Sequence, residues 1–218
     1  MDYRIKVWDP SIRLFHWALV GLMSFLWWSG SQGDGIDYHP VAGYCVLGLI
    51  LYRILWGFVG SRYARFGAFL RPPRETLRSV PGVLGRQRAH YLSHNPLGGW
   101  MVVALLLSLL FQGLTGLGTT DDLMIDGPLV AWLDDSWVER LTDWHHFNAN
   151  LLLVLIGLHL LAVLYHDLVR REGLVSAMLT GEKRSPVPAE SAHLPLWAFA
   201  VTGTGAAAAV WLLLTGAG

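Results

Sequence analysis

Two histidines stand 14 positions apart in one long apolar segment, and imidazole nitrogens are common metal ligands in proteins. They are His145 and His159. In an α-helix this spacing brings both side chains to nearly the same face, about 21 Å apart along the axis. The hydrocarbon core of a bilayer is about 30 Å thick. The spacing therefore indicates two ligand positions at two depths of a membrane.

Two further histidines, His16 and His39, lie near the ends of two other apolar segments. They can supply a partner at each depth. Two neutral imidazoles on one iron make a six-coordinate haem without an open position, which suits electron transfer rather than oxygen chemistry. The pattern predicts two stacked haems, and the alternative is a set of hydrogen-bonded or interfacial histidines with no metal.

The composition of the chain is that of a membrane protein. Of its 218 residues, 53% are hydrophobic and only 15% are charged, whereas a soluble domain carries about 25% charged residues. Five apolar segments are long enough to cross a bilayer: 13–30, 41–60, 97–118, 146–166 and 194–216. The single cysteine, Cys45, excludes an intrachain disulfide, a CxxCH haem-attachment site and an all-cysteine cluster within this chain.

The charges between these segments alternate in sign along the chain. The loop at 61–96 contains seven arginines and one glutamate, whereas the loop at 119–144 contains seven acidic residues and one arginine. The residues before the first segment and after the fourth are also basic. The positive-inside rule then gives a multi-pass membrane protein with a cytoplasmic N-terminus and, with five spans, a C-terminus on the opposite, periplasmic side. We expect the basic loop to lie along anionic headgroups and not to bind nucleic acid.

This orientation assigns each histidine to a depth. His16 and His159 lie towards the cytoplasm, and His39 and His145 lie towards the periplasm, which gives two ligand pairs. His146 is the alternative to His145. It is 13 residues from His159, which leaves the two side chains about 140° apart on an ideal helix, so the spacing favours His145.

Arg53 is a charged residue within an apolar segment, where its burial in the membrane costs free energy. It lies 14 residues after His39 and shares its helix face. At the depth of the inner haem its guanidinium can pair with a haem propionate or donate to a quinone. The alternative is that it extends to the headgroups. Gly43, Gly113 and Gly116 leave room beside the ligands for a flat macrocycle, although packing glycines are common in membrane helices.

Several separated motifs occur in an order that resembles the bacterial cytochrome b561 family, which includes the b-type cytochrome subunit of membrane-bound nickel–iron hydrogenases. They are VWDPSIRLFHW, HPVAGY, YRILWGFVGSRYARF, YLSHNPLGG, HHFNANLLLVLIGLHL and REGLVSAMLTGEKR. The resemblance covers about residues 3–184. It implies a four-helix bundle in a bacterial inner membrane, with two b haems held by His16, His39, His145 and His159. Related members often have an acidic residue at the position of His146.

The predicted fold is therefore an all-α integral membrane bundle of four haem-binding helices, with an additional helix at the C-terminus. We expect a dihaem domain over 1–184, and a linker with a fifth transmembrane helix over 185–218. That last helix is rich in alanine and glycine, so we expect it to pack against the bundle or against a second copy of the chain in a homo-oligomer.

The predicted function is electron transfer in a respiratory chain, as an independent electron carrier or as a subunit of an oxidoreductase complex. The inner haem exchanges electrons with the quinone pool, and the outer haem exchanges them with a periplasmic partner, which the resemblance implies is a hydrogenase or a c-type cytochrome. One alternative is a stand-alone quinone oxidoreductase acting on a small periplasmic oxidant such as superoxide. The other is a non-redox membrane protein with structural histidines.

Overall fold

The computed structural model describes residues 3–84, 91–120 and 125–216. Four residues that contribute to the charge pattern lie outside the described residues: Arg86, Arg88, Asp121 and Asp122. The regular elements, in chain order, are β1 (Tyr3–Lys6), α1 (Pro10–Gln32), α2 (His39–Val59), α3 (Phe66–Phe69), α4 (Pro73–Leu84), α5 (Pro96–Gly116), α6 (Asp135–Leu164), α7 (Leu174–Thr180), β2 (Glu182–Ser185) and α8 (Leu196–Gly216).

Five long helices coincide with the five apolar segments: α1, α2, α5, α6 and α8. Within the described residues, four helical stretches are long and apolar enough to cross a membrane: Ile36–Val59, Pro96–Gly116, Asp135–Val169 and Leu196–Thr215. Helix α1 is 23 residues long, but its histidine, serines and tryptophans lower its mean hydropathy. The fold is helical as predicted, whereas the count of five spans and the crossing of a fifth, C-terminal helix stay predictions.

Apolar side chains on these helices remain exposed in the folded chain. Leu107 is 60% exposed, Val154 59% and Leu161 65%. Water-soluble proteins rarely present continuous apolar surface of this kind. The exposed faces of α5 and α6 therefore fit contact with lipid.

The chain forms two compact units, each built from three stretches of sequence. The first unit comprises Met1–Leu14, Ile54–Ala104 and Leu155–Ala200, and the second comprises Phe15–Arg53, Leu105–Val154 and Val201–Gly218. The predicted division of the chain between residues 184 and 185 is of a different kind and stays a prediction.

The first unit contains a two-stranded sheet that the sequence analysis did not predict. Strands β1 and β2 pair antiparallel, with Tyr3 opposite Ser185 and Lys6 opposite Glu182. The pairing continues into the next residues, where the backbone amides of Val7 and Trp8 both donate to the carbonyl of Gly181, at 2.8 and 3.1 Å. Gly181 has a φ of 85°, a conformation that a glycine adopts without steric cost.

A small hydrophobic cluster stabilises this sheet on one side. Ile5, Val7, Tyr63 and Ala192 are buried in it, and the amide of Ala192 donates to the carbonyl of Lys6 at 2.6 Å. The segment that follows β2, which we expected to be a linker, is thus packed against β1 at this point. This segment leads from β2 to the start of α8 and contacts the N-terminal strand on the way.

Asp9 is a buried carboxylate of the first unit that fixes the start of α1. Its Oδ1 accepts from the amides of Ser11 and Ile12 at 2.9 and 3.1 Å, as an N-cap does. Its Oδ2 accepts from the Nε1 of Trp56 at 3.4 Å and from the hydroxyl of Ser61. One side chain thus satisfies donors on α1, on α2 and in the loop that follows α2.

We expect Asp9→Ala to lower the free energy of unfolding by about 2–4 kcal/mol. The substitution removes the cap and leaves the buried donors of Trp56 and Ser61 without their acceptor. Chemical denaturation of the detergent-solubilised protein, followed by circular dichroism, measures this change. Asp143→Ala, which removes an exposed carboxylate from α6, should change the free energy by less than about 0.5 kcal/mol. Equal effects of the two substitutions would contradict the role of Asp9.

Candidate functional site

His39 begins α2 in the second unit, and one of its ring nitrogens is already engaged. Its Nδ1 lies 2.8 Å from the hydroxyl of Ser29 on α1. A Cβ at Gly30 would stand 3.3 Å from the Cε1 of the same ring, so the glycine allows the imidazole to lie close to α1. Ser29 and Gly30 together set the orientation of the ring and leave Nε2 as the nitrogen for a ligand.

His145, on α6 in the same unit, is held in the same manner by α5. Its Nδ1 lies 3.1 Å from the carbonyl oxygen of Gln112 and 3.3 Å from the hydroxyl of Thr115. A carbonyl can only accept, so this contact favours the tautomer with its proton on Nδ1. The lone pair of Nε2 is then available to a metal. A Cβ at Gly116 would stand 3.0 Å from the ring, so this glycine is needed for the close approach of His145.

Both histidines therefore fit the chemistry of an iron-bound imidazole. A metal-ligating histidine almost always uses its second ring nitrogen in a hydrogen bond that fixes the tautomer and the ring orientation. Ser29 and Gln112 provide these hydrogen bonds. The structure thus places His39 and His145, the two members of the predicted outer pair, in the same unit. The Nδ1 atom of each ring is in a hydrogen bond, and Nε2 is the nitrogen that remains for a metal.

The two members of the predicted inner pair lie in different units. His16, on α1, is half-buried in the second unit, and its ring packs edge-on against Trp17 with a centroid distance of 5.1 Å. His159, on α6, is half-buried in the first unit. Their pairing stays a prediction.

His146, the alternative to His145, is exposed. Its ring lies 6.4 Å from that of His145, whereas the hydrogen bonds to Gln112 and Thr115 are made by His145. This environment is consistent with the choice of His145 from the helical spacing.

Arg53 is 5% exposed and lies on α2 in the second unit. An arginine that reached the headgroups would leave its guanidinium at the surface. The burial of Arg53 is instead typical of a membrane-embedded cation that faces the protein interior. Its contact with a propionate or a quinone stays a prediction.

The glycines expected beside the ligands differ from one another. A Cβ at Gly43 would meet no atom within 4 Å, whereas one at Gly113 would stand 3.1 Å from Leu47, and one at Gly116 would meet His145. Only Gly43 therefore leaves open space. Gly113 serves the packing of α2 against α5, and Gly116 serves the ligand itself.

A buried amide network next to His145 was not found by the sequence analysis. Asn148 is 3% exposed. Its Oδ1 accepts from the hydroxyl of Ser108 at 2.8 Å, and its Nδ2 donates to the side-chain oxygen of Gln112 at 2.7 Å. Asn148 thus connects α6 to the residue whose backbone carbonyl contacts His145. Polar residues at 108, 112 and 148 in otherwise apolar helices were the signal available in the sequence.

A buried polar network around His166 lies at the end of α6 in the first unit. The helix continues as a π-helical turn, Tyr165–Val169. Within it His166 is buried, with its Nδ1 3.1 Å from Glu172 and its Nε2 3.5 Å from the amide nitrogen of Asn95. Glu172 also accepts from the Nε of Arg170 at 3.4 Å. Hydrogen bonds to both ring nitrogens make His166 part of a polar network rather than a free ligand.

The chain is similar to one family of known proteins over most of its length. The family model described as prokaryotic cytochrome b561 matches residues 7–181. A probable Ni/Fe-hydrogenase B-type cytochrome subunit of Rhizobium leguminosarum bv. viciae is 28% identical over 212 residues, which cover 82% of this chain and 88% of the relative. The protein of the same description from Bradyrhizobium diazoefficiens is 26% identical over 212 residues, covering 83% and 86%. No solved structure matches the chain.

We expect Asn148→Leu to lower the free energy of unfolding by about 1–3 kcal/mol, because it leaves the buried Ser108 hydroxyl and the Gln112 side chain without their partner. Denaturation in detergent, followed by circular dichroism, measures the change. Asn150→Leu is the matched control. Asn150 is exposed on the same helix and hydrogen-bonds only to the carbonyl of His146 among the contacts found for its side chain in the described residues. A loss as large in this control would show that the amide network has no special role.

Proposed function

Because this chain belongs to the prokaryotic cytochrome b561 family, we propose that it is a dihaem membrane cytochrome that carries electrons between the quinone pool and a periplasmic redox partner. The family makes it a b-type cytochrome of electron transport with transmembrane helices. The number of haems, the quinone, the partner and the orientation are our proposal.

The observation that carries the proposal is the engagement of Nδ1 in both His39 and His145. Ser29 and the Gln112 carbonyl hold the two rings at 2.8 and 3.1 Å, so Nε2 of each ring is the nitrogen that remains for iron. Bound there, a haem b supplies reversible one-electron transfer. Ser29 and Gln112 orient the two imidazoles, and an iron held by two imidazoles would have no open position for a small oxidant.

For the second haem we propose His16 and His159 as ligands. The support is the 14-residue spacing of His159 from His145 on one continuous helix, α6, which separates the two ligand positions by about 21 Å. The positions of all four histidines lie within residues 7–181, the part of the chain that the family model matches. Arg53, buried on α2, is the residue that we propose to neutralise a propionate or to donate to a quinone.

The periplasmic partner that we propose first is a hydrogenase, because the similar proteins from Rhizobium and Bradyrhizobium are described as Ni/Fe-hydrogenase B-type cytochrome subunits. A c-type cytochrome is the second candidate. The acidic stretch before and within the start of α6 supports a basic partner of that kind, since opposite charges steer association. Asp134, Asp135 and Glu139 are exposed there.

The orientation that we propose follows from the distribution of charge. The basic loop at 61–96 lies on the cytoplasmic side and the acidic loop at 119–144 on the periplasmic side of an inner membrane. The N-terminus is then cytoplasmic and, if α8 crosses as a fifth span, the C-terminus is periplasmic.

We expect two haems per chain in the purified protein, and the loss of one haem in each of the variants His16→Ala, His39→Ala, His145→Ala and His159→Ala. Each substitution removes one of the two axial ligands of one site. The haem-to-protein ratio and an optical redox titration, which should lose one of two components, measure the result.

His146→Ala is the matched control for this series and should keep both haems, because His146 is exposed and lacks the contact with Gln112. Retention of both haems in His145→Ala, together with loss of one in His146→Ala, would reverse our choice of ligand. Ser29→Ala retains His39 and should weaken haem binding at that site by about 10–100-fold, as removal of an orienting partner does in metal sites.

We expect a quinol to reduce the oxidised protein without any second subunit. The physical reason is that a membrane-soluble donor can reach a site within the bilayer at the depth of Arg53. The absorption spectrum, recorded after addition of a ubiquinol or a menaquinol analogue, measures the reduction. If dithionite reduces the protein and neither quinol does, the quinone part of the proposal is wrong while the cytochrome assignment stands.

A further inference from the structure

A basic cavity of about 570 Å³ lies in the first unit, beside the end of α6. Its volume falls within the range of about 300–1,000 Å³ that small-molecule sites occupy. Five basic side chains line it: Arg4, Arg170, Arg171, Lys183 and Arg184. They come from β1, from the turn after α6 and from β2, so the pairing of the two strands brings them together.

The acidic residues of the lining do not balance this charge. Glu172 and Glu182 are the two carboxylates of the lining, and each lies near a basic neighbour. Glu172 is 3.4 Å from the Nε of Arg170, and Glu182 is 4.0 Å from Arg4. The lining therefore keeps an excess of positive charge, which favours an anion as the ligand.

Lys183 is the most buried of the basic residues, with 8% exposure. Its Nζ donates to the carbonyl oxygen of Tyr91 at 2.7 Å, a neutral acceptor. Burial lowers the pKa of Lys183, and the carboxylates of Glu172 and Asp167 act in the opposite direction. An anion in the cavity would add to that second effect and stabilise the ammonium. Guanidinium and ammonium groups together are the usual ligands of a phosphate.

The position of the cavity at the end of a membrane span indicates where such a phosphate would come from. The candidate span ends at Val169, and Leu168 and Val169 are 73% and 65% exposed. Arg170 and Arg171 follow directly. This change from exposed apolar residues to basic ones is typical of the headgroup level, where basic pockets attract anionic lipids.

We propose that this cavity binds the phosphate group of an anionic membrane phospholipid, with Lys183 and the neighbouring arginines as its ligands and the acyl chains along the exposed end of α6. A headgroup without a positive charge suits the lining, whereas the choline of a zwitterionic lipid meets repulsion. Free inorganic phosphate shares the recognised chemistry but lacks the acyl chains.

The test is a lipid titration of the full-length, haem-loaded protein in an uncharged detergent, with bound lipids counted by native mass spectrometry. The probes are phosphatidylglycerol, phosphatidylcholine with the same acyl chains, and inorganic phosphate. We expect phosphatidylglycerol to bind at least about tenfold more tightly than phosphatidylcholine, and equimolar phosphate to leave its binding unchanged.

Two exposed arginines of the lining allow a variant that should fold. We expect Arg171→Gln/Arg184→Gln to weaken phosphatidylglycerol binding by about 10–30-fold, and Lys183→Met to weaken it as well. The control Arg74→Gln/Arg78→Gln removes the same charge from exposed positions of α4 and should keep the affinity within about twofold. All variants should retain the haem content of the wild-type protein, so the result is independent of the proposed electron transfer.

Three results would overturn the proposal. Equal binding of the two lipids would show that charge is not recognised, and displacement of the lipid by equimolar phosphate would make this a site for a small anion. A loss in the α4 control as large as in the cavity variant would show general attraction to basic surface. Should Lys183→Met fail to fold, the double arginine variant alone decides.

Discussion

Polar side chains within the apolar helices must find their partners in the protein, because hydrocarbon offers no hydrogen bonds. This constraint shapes the second unit. Asn148 uses its amide on Ser108 and Gln112, and His145 uses Nδ1 on the Gln112 carbonyl. Each partner that a side chain finds also fixes its direction. The requirement that buried polar groups have hydrogen-bond partners therefore also fixes the orientation of the imidazole rings.

The orientation of His39 and His145 also requires each ring to lie close to a neighbouring helix, and a glycine on that helix makes this possible. Gly30 on α1 lies against His39, and Gly116 on α5 lies against His145. A side chain at either position would push the ring away from the helix that holds its Nδ1. The small residue and the hydrogen-bond acceptor thus act together on one ring, and they are neighbours in sequence in the case of Ser29 and Gly30.

The long helices could be predicted from the sequence because apolar segments of this length leave few alternatives. The choice of the four histidines rests on helical spacing and on the charges of the loops, both of which can be read from the sequence, and their role as ligands stays a prediction. The strands β1 and β2 could not be predicted, since each has only four residues and pairs with a segment at the far end of the chain. The partners of Nδ1 were missed for a similar reason: Ser29 and Gln112 contact histidines through tertiary packing, which periodicity does not report. The burial of Asp9 was hidden as well, because a WDPS sequence describes a helix start but not the Trp56 and Ser61 donors.

The pairing of Tyr3–Lys6 with Glu182–Ser185 has a consequence for the order of biosynthesis. The first strand leaves the ribosome before any long helix, yet its partner is made only after α6 and α7. At about 5–20 residues per second, translation of the intervening chain takes about 9–35 s. The N-terminal segment therefore remains an unpaired strand edge while α1, α2, α5 and α6 are made, and completion of the sheet marks the moment at which the basic cavity first exists.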